Sequence, residues 1–285
     1  MGERQSAALS GDAQQPDAAV MESVVQAVLA SPKYAALDPA LVASLANQEL
    51  RKGRQVREAI KKVKNRLHQS TASYWLTTPH YAHWRAAIEA AKDEPTRKTQ
   101  LQSILRMHYS MRERLPFLAD FYRTIFAGLA SVRRVLDLGC GLNPLALPWM
   151  GLPSETTYFA CDIDREQIAF LDWWLRLQGR SGQAFVWNLL AGAPPIEPVD
   201  VALLLKMAPC LAQLDVVAPA RLLEEVRASV VVVSFPAQSL GGRDKGMVAH
   251  YAATMDALLA GRNWRVERFD FPTELVFRVR KDRCF

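Results

Sequence analysis

Residues Arg134 to Leu145, RVLDLGCGLNPL, leave few folds open to the chain. Val135 to Leu138 is a short apolar run, long enough for a strand buried on both faces of a parallel sheet. Gly139 and Gly141 follow at once and permit a turn whose backbone N–H groups approach a ligand closely. Pro144 suits the first turn of a following helix, and Asn143 suits its cap. Strand, glycine turn and helix together open a nucleotide-binding α/β domain. A dinucleotide fingerprint would place a third glycine three residues after the second. Position 144 is proline instead, and the acid Asp137 stands before the glycines. Both features point away from a nicotinamide cofactor.

From Val132 onward, strand and helix patterns alternate, as in a doubly wound sheet, so the fold class expected is α/β. Tyr158–Cys161 reads as the second strand, ending at Asp162. Asp162 lies 23 residues after Gly139, a spacing at which an acid accepts hydrogen bonds from both hydroxyls of a ribose. The nearby Asp164 suits the cap of a helix over residues 165–178. Ala184–Trp187 reads as the third strand. Asn188 and Leu189 at its end supply a polar edge and an apolar cover for a base. Asp200–Met207 is the fourth strand, ending in Lys206, with Gln213 soon after. Ser229–Phe235, with four consecutive valines, is the fifth. Trp264–Phe271 and Glu274–Arg280 read as a closing hairpin. Right-handed crossovers put a ligand at the carboxyl edge of such a sheet.

The N-terminal half reads as helices. Val20–Leu29 and Pro39–Leu50 are short ones. Val56, Ile60, Val63 and Leu67 recur at the spacing of a helix that buries one face. Between Arg51 and Arg66 eight cations, Lys61, Lys62, Lys64 and Arg66 among them, face a single acid, Glu58. The net charge is +6 and the pI about 9.2, which favours an anionic partner. The run suits a phosphate backbone and equally suits a solvated face. Further on, Leu101, Ile104, Leu105, His108 and Leu115 are placed on one helical face. His108 there fits a satisfied core histidine. Arg114 fits a surface ion pair, or a planar fork holding a carboxylate beside the ligand cleft.

After the fifth strand, Ser234 to Met247 carries three glycines with Arg243 and Lys245. At the carboxyl edge such a loop suits closure over a phosphate or base. Cys140, Cys161, Cys210 and Cys284 match no zinc, redox or disulfide spacing, so reduced thiols, no metal and a cytoplasmic location are expected. No apolar run reaches the length of a membrane span, and the N-terminus has no signal-peptide core. The division expected is a mobile tail over residues 1–18, a helical RNA-binding region over 19–126 and a catalytic domain over 127–285.

The glycine turn with its D-x-G-x-G-x-N-P context resembles motif I of class I S-adenosylmethionine (SAM) methyltransferases. With further blocks the chain resembles one family, the aminoglycoside-resistance 16S ribosomal RNA (guanine-1405-N7)-methyltransferases. The blocks are Arg66-Leu67-His68 with Tyr74, HYSMRERL at 108–115, RVLDLGCGLNPLAL at 134–147, Cys161-Asp162-Ile163 and SFPAQSLGGRDKGM at 234–247. The resemblance implies a class I SAM-methyltransferase sheet with a helical N-terminal extension that binds the 30S subunit; a monomer is expected. It implies cofactor contacts at Tyr74, His108, Tyr109, Ser110, Arg114, Gly139, Asp162, Asn188, Leu189, Leu204 and Gln213. Asn188 stands where the family usually has Asp, and Ala237-Gln238 stands for the more usual Thr-Arg. Guanine N7 has an in-plane lone pair that is free at neutral pH, so no general base is sought and catalysis would rest on orientation. Arg243 and Lys245 would grip the backbone displaced when the nucleotide is flipped out. Two readings compete with this one. The first is a methyltransferase of adenine N1 in the same rRNA region, or of a small molecule. The second is a non-catalytic RNA-binding assembly factor.

Overall fold

The computed structural model describes residues 16–70, 74–129, 131–238 and 246–281. Among the described residues seven α-helices precede the sheet: α1 Ala18–Leu29, α2 Pro39–Arg51, α3 Val56–Ser70, α4 Tyr81–Ala90, α5 Glu94–Leu105, α6 Tyr109–Arg114 and α7 Leu118–Phe126. The expected single helix through 101–115 is broken. Leu105 ends α5, and His108 adopts an extended backbone and starts α6. The break turns His108 and Ser110 toward the sheet edge. The expected 1–18 tail falls largely outside the described residues, and α1 already begins at Ala18, capped by Asp17.

The strands are β1 Arg134–Leu138, β2 Thr157–Asp162, β3 Gly182–Val186, β4 Val199–Leu205, β5 Ala228–Pro236, β6 Arg265–Phe271 and β7 Glu274–Arg280. Their order in the sheet is β3-β2-β1-β4-β5-β7-β6. The first five run parallel, and the hairpin adds β7 and β6 antiparallel. All seven agree with the sequence reading to within two residues at each end. Side chains alternate across the sheet, as a pleat requires. Val135, Tyr158, Val201 and Val232 face one core, which α4, α5, α7 and α9 (Arg165–Leu177) complete. Leu136, Leu204, Val231 and Phe277 face the other, covered by α10 (Ala208–Leu214), α11 (Ala218–Glu225) and α12 (Met247–Leu259).

A third apolar cluster joins α1, α2 and α3 through Val24, Val28, Leu41, Leu45, Val63 and Leu67, and Leu214 of α10 reaches into it. The boundary expected at residue 126 therefore cuts through a shared core. The packing divides between α3 and α4. The α1–α2 connection ties this bundle to the sheet: Asp38 N–H donates to Ile163 O at 2.8 Å, Leu37 pairs with Asp164, and Arg165 donates to the carbonyls of Ala35 and Ala36.

Candidate active site

Strand order reverses between β1 and β4, which places the ligand crevice outside their carboxyl ends. A cavity of about 700 Å³ lies there, within the range of small-molecule and cofactor sites. Leu142 is buried in the core, and neither it nor Trp149 enters the cavity. The glycines are needed where they stand. Gly139 and Gly141 have left-handed φ of 62° and 50°. A Cβ at Gly139 would come within 2.7 Å of the Met207 side chain, and one at Gly141 within 3.2 Å of the His108 ring. Asn143 does not cap the following helix. Its Nδ2 donates to Asp137 Oδ2 at 2.9 Å, and its Oδ1 accepts from Tyr122 and Arg114.

Asp162 lines the cavity. Its Oδ2 accepts from Gly141 N–H at 2.9 Å and its Oδ1 from Ile163 N–H at 2.7 Å. Each oxygen keeps a lone pair, so both hydroxyls of a ribose can be received. Burial raises this carboxyl, opposed by the N–H groups of Gly141 and Ile163. Asp164 caps α9 as expected, accepting from Gln167 N–H. Asn188 Oδ1 takes Leu190 N–H at 3.0 Å and retains one lone pair for a base edge, with Leu189 buried beside it.

His108 accepts or donates at Nδ1 with Ser110 Oγ, 2.9 Å away, and stacks on Tyr74 at 6.0 Å. Burial, with Arg114 and Lys206 nearby, pushes its pKa down to about 3. The ring is therefore neutral at physiological pH and adds no charge beside a cationic donor. Tyr74 O–H lies 3.0 Å from Cys210 Sγ. Arg114 is buried, and the carboxylate in its fork is a protein one: Nε and Nη2 donate to Glu274 at 2.9 and 2.6 Å. It still lines the cavity. Burial would raise Glu274, but Arg114 and Lys206 outweigh it and hold the carboxyl below its usual range.

Eight of the sequence-expected cofactor residues line the cavity together: Tyr74, His108, Ser110, Arg114, Gly139, Asp162, Asn188 and Leu189. Three do not. Leu204 packs in the core below the sheet, because successive strand residues face opposite ways, and Leu205 takes the cavity position. Gln213 is exposed on α10, whose Cys210, Leu211 and Leu214 face inward. Tyr109 is half-buried and off the lining. Among the expected RNA contacts, Lys61 and Lys62 are exposed. Arg66 is committed within the protein, to Glu49 at 2.9 Å, to Gln48 and to Leu214 O, so it anchors α3. Arg243 and Lys245 lie outside the described residues.

Several lining residues were given no site role from the sequence, Lys206 at the end of the fourth strand among them. Lys206 bonds Glu113 at 2.5 Å and has the one left-handed backbone among described non-glycine residues, at φ 57°. Its place directly after the fourth strand was a usable signal. Gln167 donates to Gly141 O at 3.1 Å. Lys33, Ala36 and Leu37 also line the cavity, and nothing in a sequence 130 residues away marks them. Among the described residues no group of three or more His, Cys, Asp or Glu could hold a metal ion, and no helix is long and apolar enough to cross a membrane.

A seven-stranded sheet in this order, with a glycine turn, a ribose-competent acid and a base-edge residue around one cavity, defines a class I, Rossmann-like methyltransferase. Residues 30–278 match the family described as Ribosomal RNA methyltransferase (FmrO). The chain belongs to that family. It is 38% identical over 92% of its length, and 94% of the relative's, to a 16S rRNA (guanine(1405)-N(7))-methyltransferase of Frankia casuarinae. It is 37% identical to one of Micromonospora echinospora, covering 92% of this chain and 97% of that one. Among solved structures it resembles the 16S rRNA methyltransferase RmtF in complex with S-adenosyl-L-homocysteine. The TM-score is 0.79 at 31% identity, covering 93% of this chain and all (100%) of that one.

Proposed function

We propose that the chain transfers a methyl group from S-adenosylmethionine to N7 of guanine 1405 of 16S rRNA, within the 30S subunit. The observation that supports this most directly is the cavity at the β1/β4 switch point, built from residues that suit an adenosyl group, in a chain so similar to relatives named for that reaction. S-Adenosylmethionine supplies an electrophilic methyl on a sulfonium. Asp162 receives the ribose hydroxyls, and Asn188 with Leu189 meets the adenine edge and face. Arg114, paired with Glu274, and Lys206, paired with Glu113 and Glu274, stand as N–H donors at the methionine end.

Guanine N7 attacks through a lone pair outside its aromatic sextet, so no residue needs to take a proton. The neutral His108 fits that chemistry. The protein's part is to hold N7 in line with the methyl, and orientation of that kind supplies up to roughly 7–11 kcal/mol of barrier lowering. A guanine in a structured helix must first be flipped out, at a cost of a few kcal/mol. The exposed Lys61 suits the anionic backbone around it. The product, N7-methylguanine, is cationic and has lost an acceptor, so it repels polycationic aminoglycosides and resistance follows.

Incubation with isotopically labelled S-adenosylmethionine and 30S particles, followed by borohydride–aniline cleavage, tests the reading. Label in 16S rRNA with cleavage at guanine 1405 supports it. Label at an adenine, or none, overturns it.

A further inference from the structure

The basic residues around α3 fall into two chemically different sets. Lys52, Arg54 and Arg66 all reach Glu49, which is itself buried, and Arg54 also holds Glu58. These cations are neutralised and serve the bundle. Arg57, Lys61, Lys64 and His68 recur at i, i+4, i+7 and i+11, so they form one stripe along α3, opposite the face that buries Ala59, Val63 and Leu67. No member of the stripe has an acidic partner among the described residues. Lys64 Nζ donates to a hydroxyl, Ser31 Oγ, at 2.6 Å. Lys62 points about 130° away from the stripe, by the 100° turn of each helical residue.

At the C-terminal end of α3 the stripe continues onto another element. Lys33 Nζ donates to His68 Nδ1 at 3.0 Å. Lys33 lies in the α1–α2 connection, and it lines the cavity, as does Ser70 at the end of α3. The same connection is fixed to Ile163 and Asp164, directly beyond the ribose-competent Asp162. The stripe therefore runs about 16 Å along α3 from Arg57 to His68 and passes through Lys33 to a segment at the cavity rim that is hydrogen-bonded to Ile163.

We infer that Arg57, Lys61, Lys64, His68 and Lys33 form one phosphate track, occupied by the sugar–phosphate strand of the substrate RNA, and that Lys33 holds the phosphate beside the nucleotide entering the cavity. This rests on the function proposed above and adds the strand's path to it. Charge complementarity selects the occupant: a row of cations at helical spacing, with hydroxyl and imidazole partners and no acid, matches a linear polyanion. Lys62 and Arg66 lie off the track.

The test uses the full-length protein and its single variants Lys33→Gln, Lys61→Gln, Lys64→Gln and Lys62→Gln, each first shown by thermal unfolding to be folded. Binding to 30S particles and to protein-free 16S rRNA is measured across a salt series, with S-adenosylmethionine affinity measured by calorimetry. Each track variant is expected to lower the salt slope by about one with both RNA forms, since each cation releases about one counter-ion. Lys62→Gln is expected to leave the slope at its wild-type value, and cofactor affinity should stay within about twofold for Lys61→Gln, Lys64→Gln and Lys62→Gln, none of which lines the cavity. An unchanged slope for Lys33→Gln, or an equal loss for Lys62→Gln, overturns the track. A loss seen with 30S particles but not with free rRNA makes a ribosomal protein the occupant and also overturns it. A wild-type chain with no salt-dependent affinity for either RNA form would instead remove the proposed function itself.

Discussion

Two helical regions precede the sheet, and they serve different cores. The α4–α7 segment has no core of its own. Ile88, Leu101, Phe121 and Ile125 pack directly on strand residues such as Val135 and Tyr158, and this segment delivers His108, Ser110 and Arg114 to the cavity. The α1–α3 bundle closes on itself and presents its charge outward. It meets the sheet at a few fixed points: the Leu37–Asp38 connection, Arg165 and Arg66. Helical sequence alone does not say which core a helix completes. What distinguishes the two regions is where their apolar faces find partners. One region packs into the sheet's own core, and the other is a separate bundle braced against it that adds only its rim residues to the cavity.

The sharpest way to break this comparison is to hollow out the bundle. Leu67→Ala removes a fully buried side chain and should cost about 2–5 kcal/mol. Hydrogen exchange should show faster opening in α1–α3 with α4–α7 protected as before, and uniform loss across both would dissolve the distinction. On the cavity side, Asp162→Ala removes both oxygens proposed to accept from the ribose hydroxyls. Calorimetry should show affinity for S-adenosylmethionine falling by about a hundredfold, the size of roughly two lost hydrogen bonds to a charged group. An unchanged affinity would move the cofactor elsewhere.

Arg66→Met tests the brace. It leaves Leu214 O and part of Glu49 without a donor and should cost about 1–3 kcal/mol in chemical denaturation. The salt slope of RNA binding should not move, because this guanidinium is already paired.

A further test is a pH one. Burial raises Asp137 to about 7, only partly offset by hydrogen bonds from Asn143 and Tyr158. A raised acid stabilises the fold fully below its unfolded pKa of about 4, and that stability fades as pH rises to about 7. Asp137→Asn, which keeps an acceptor for both donors, should flatten the decline of stability between pH 4 and 7. A decline that persists would assign it to another group.

Much of the fold was legible because it is written in local pattern. Apolar runs gave all seven strands, and the glycine turn after β1 located the cavity, with Asp162 set by spacing. The misreadings have physical reasons. A continuous helix through 101–115 fits the apolar spacing, but His108 turns extended to reach Gly141, a tertiary contact with no local mark. Asn143 looks like a cap because its side chain suits one, and a buried Asp137 claims it instead. Leu204 and Leu205 differ only in which face of the sheet they take. The eight cations near α3 look alike in sequence, and only the position of Glu49 sorts the neutralised from the free.

The connection that seats Leu37 on Asp164 has a practical reach. On the proposed reading, a single small molecule that filled the cavity beside Asp162 and extended past Lys33 would obstruct cofactor entry and substrate approach at once. Because that rim belongs to the α1–α3 bundle, the extension would find no counterpart in methyltransferases built from the sheet alone, which makes this seam the place to look for selective inhibition.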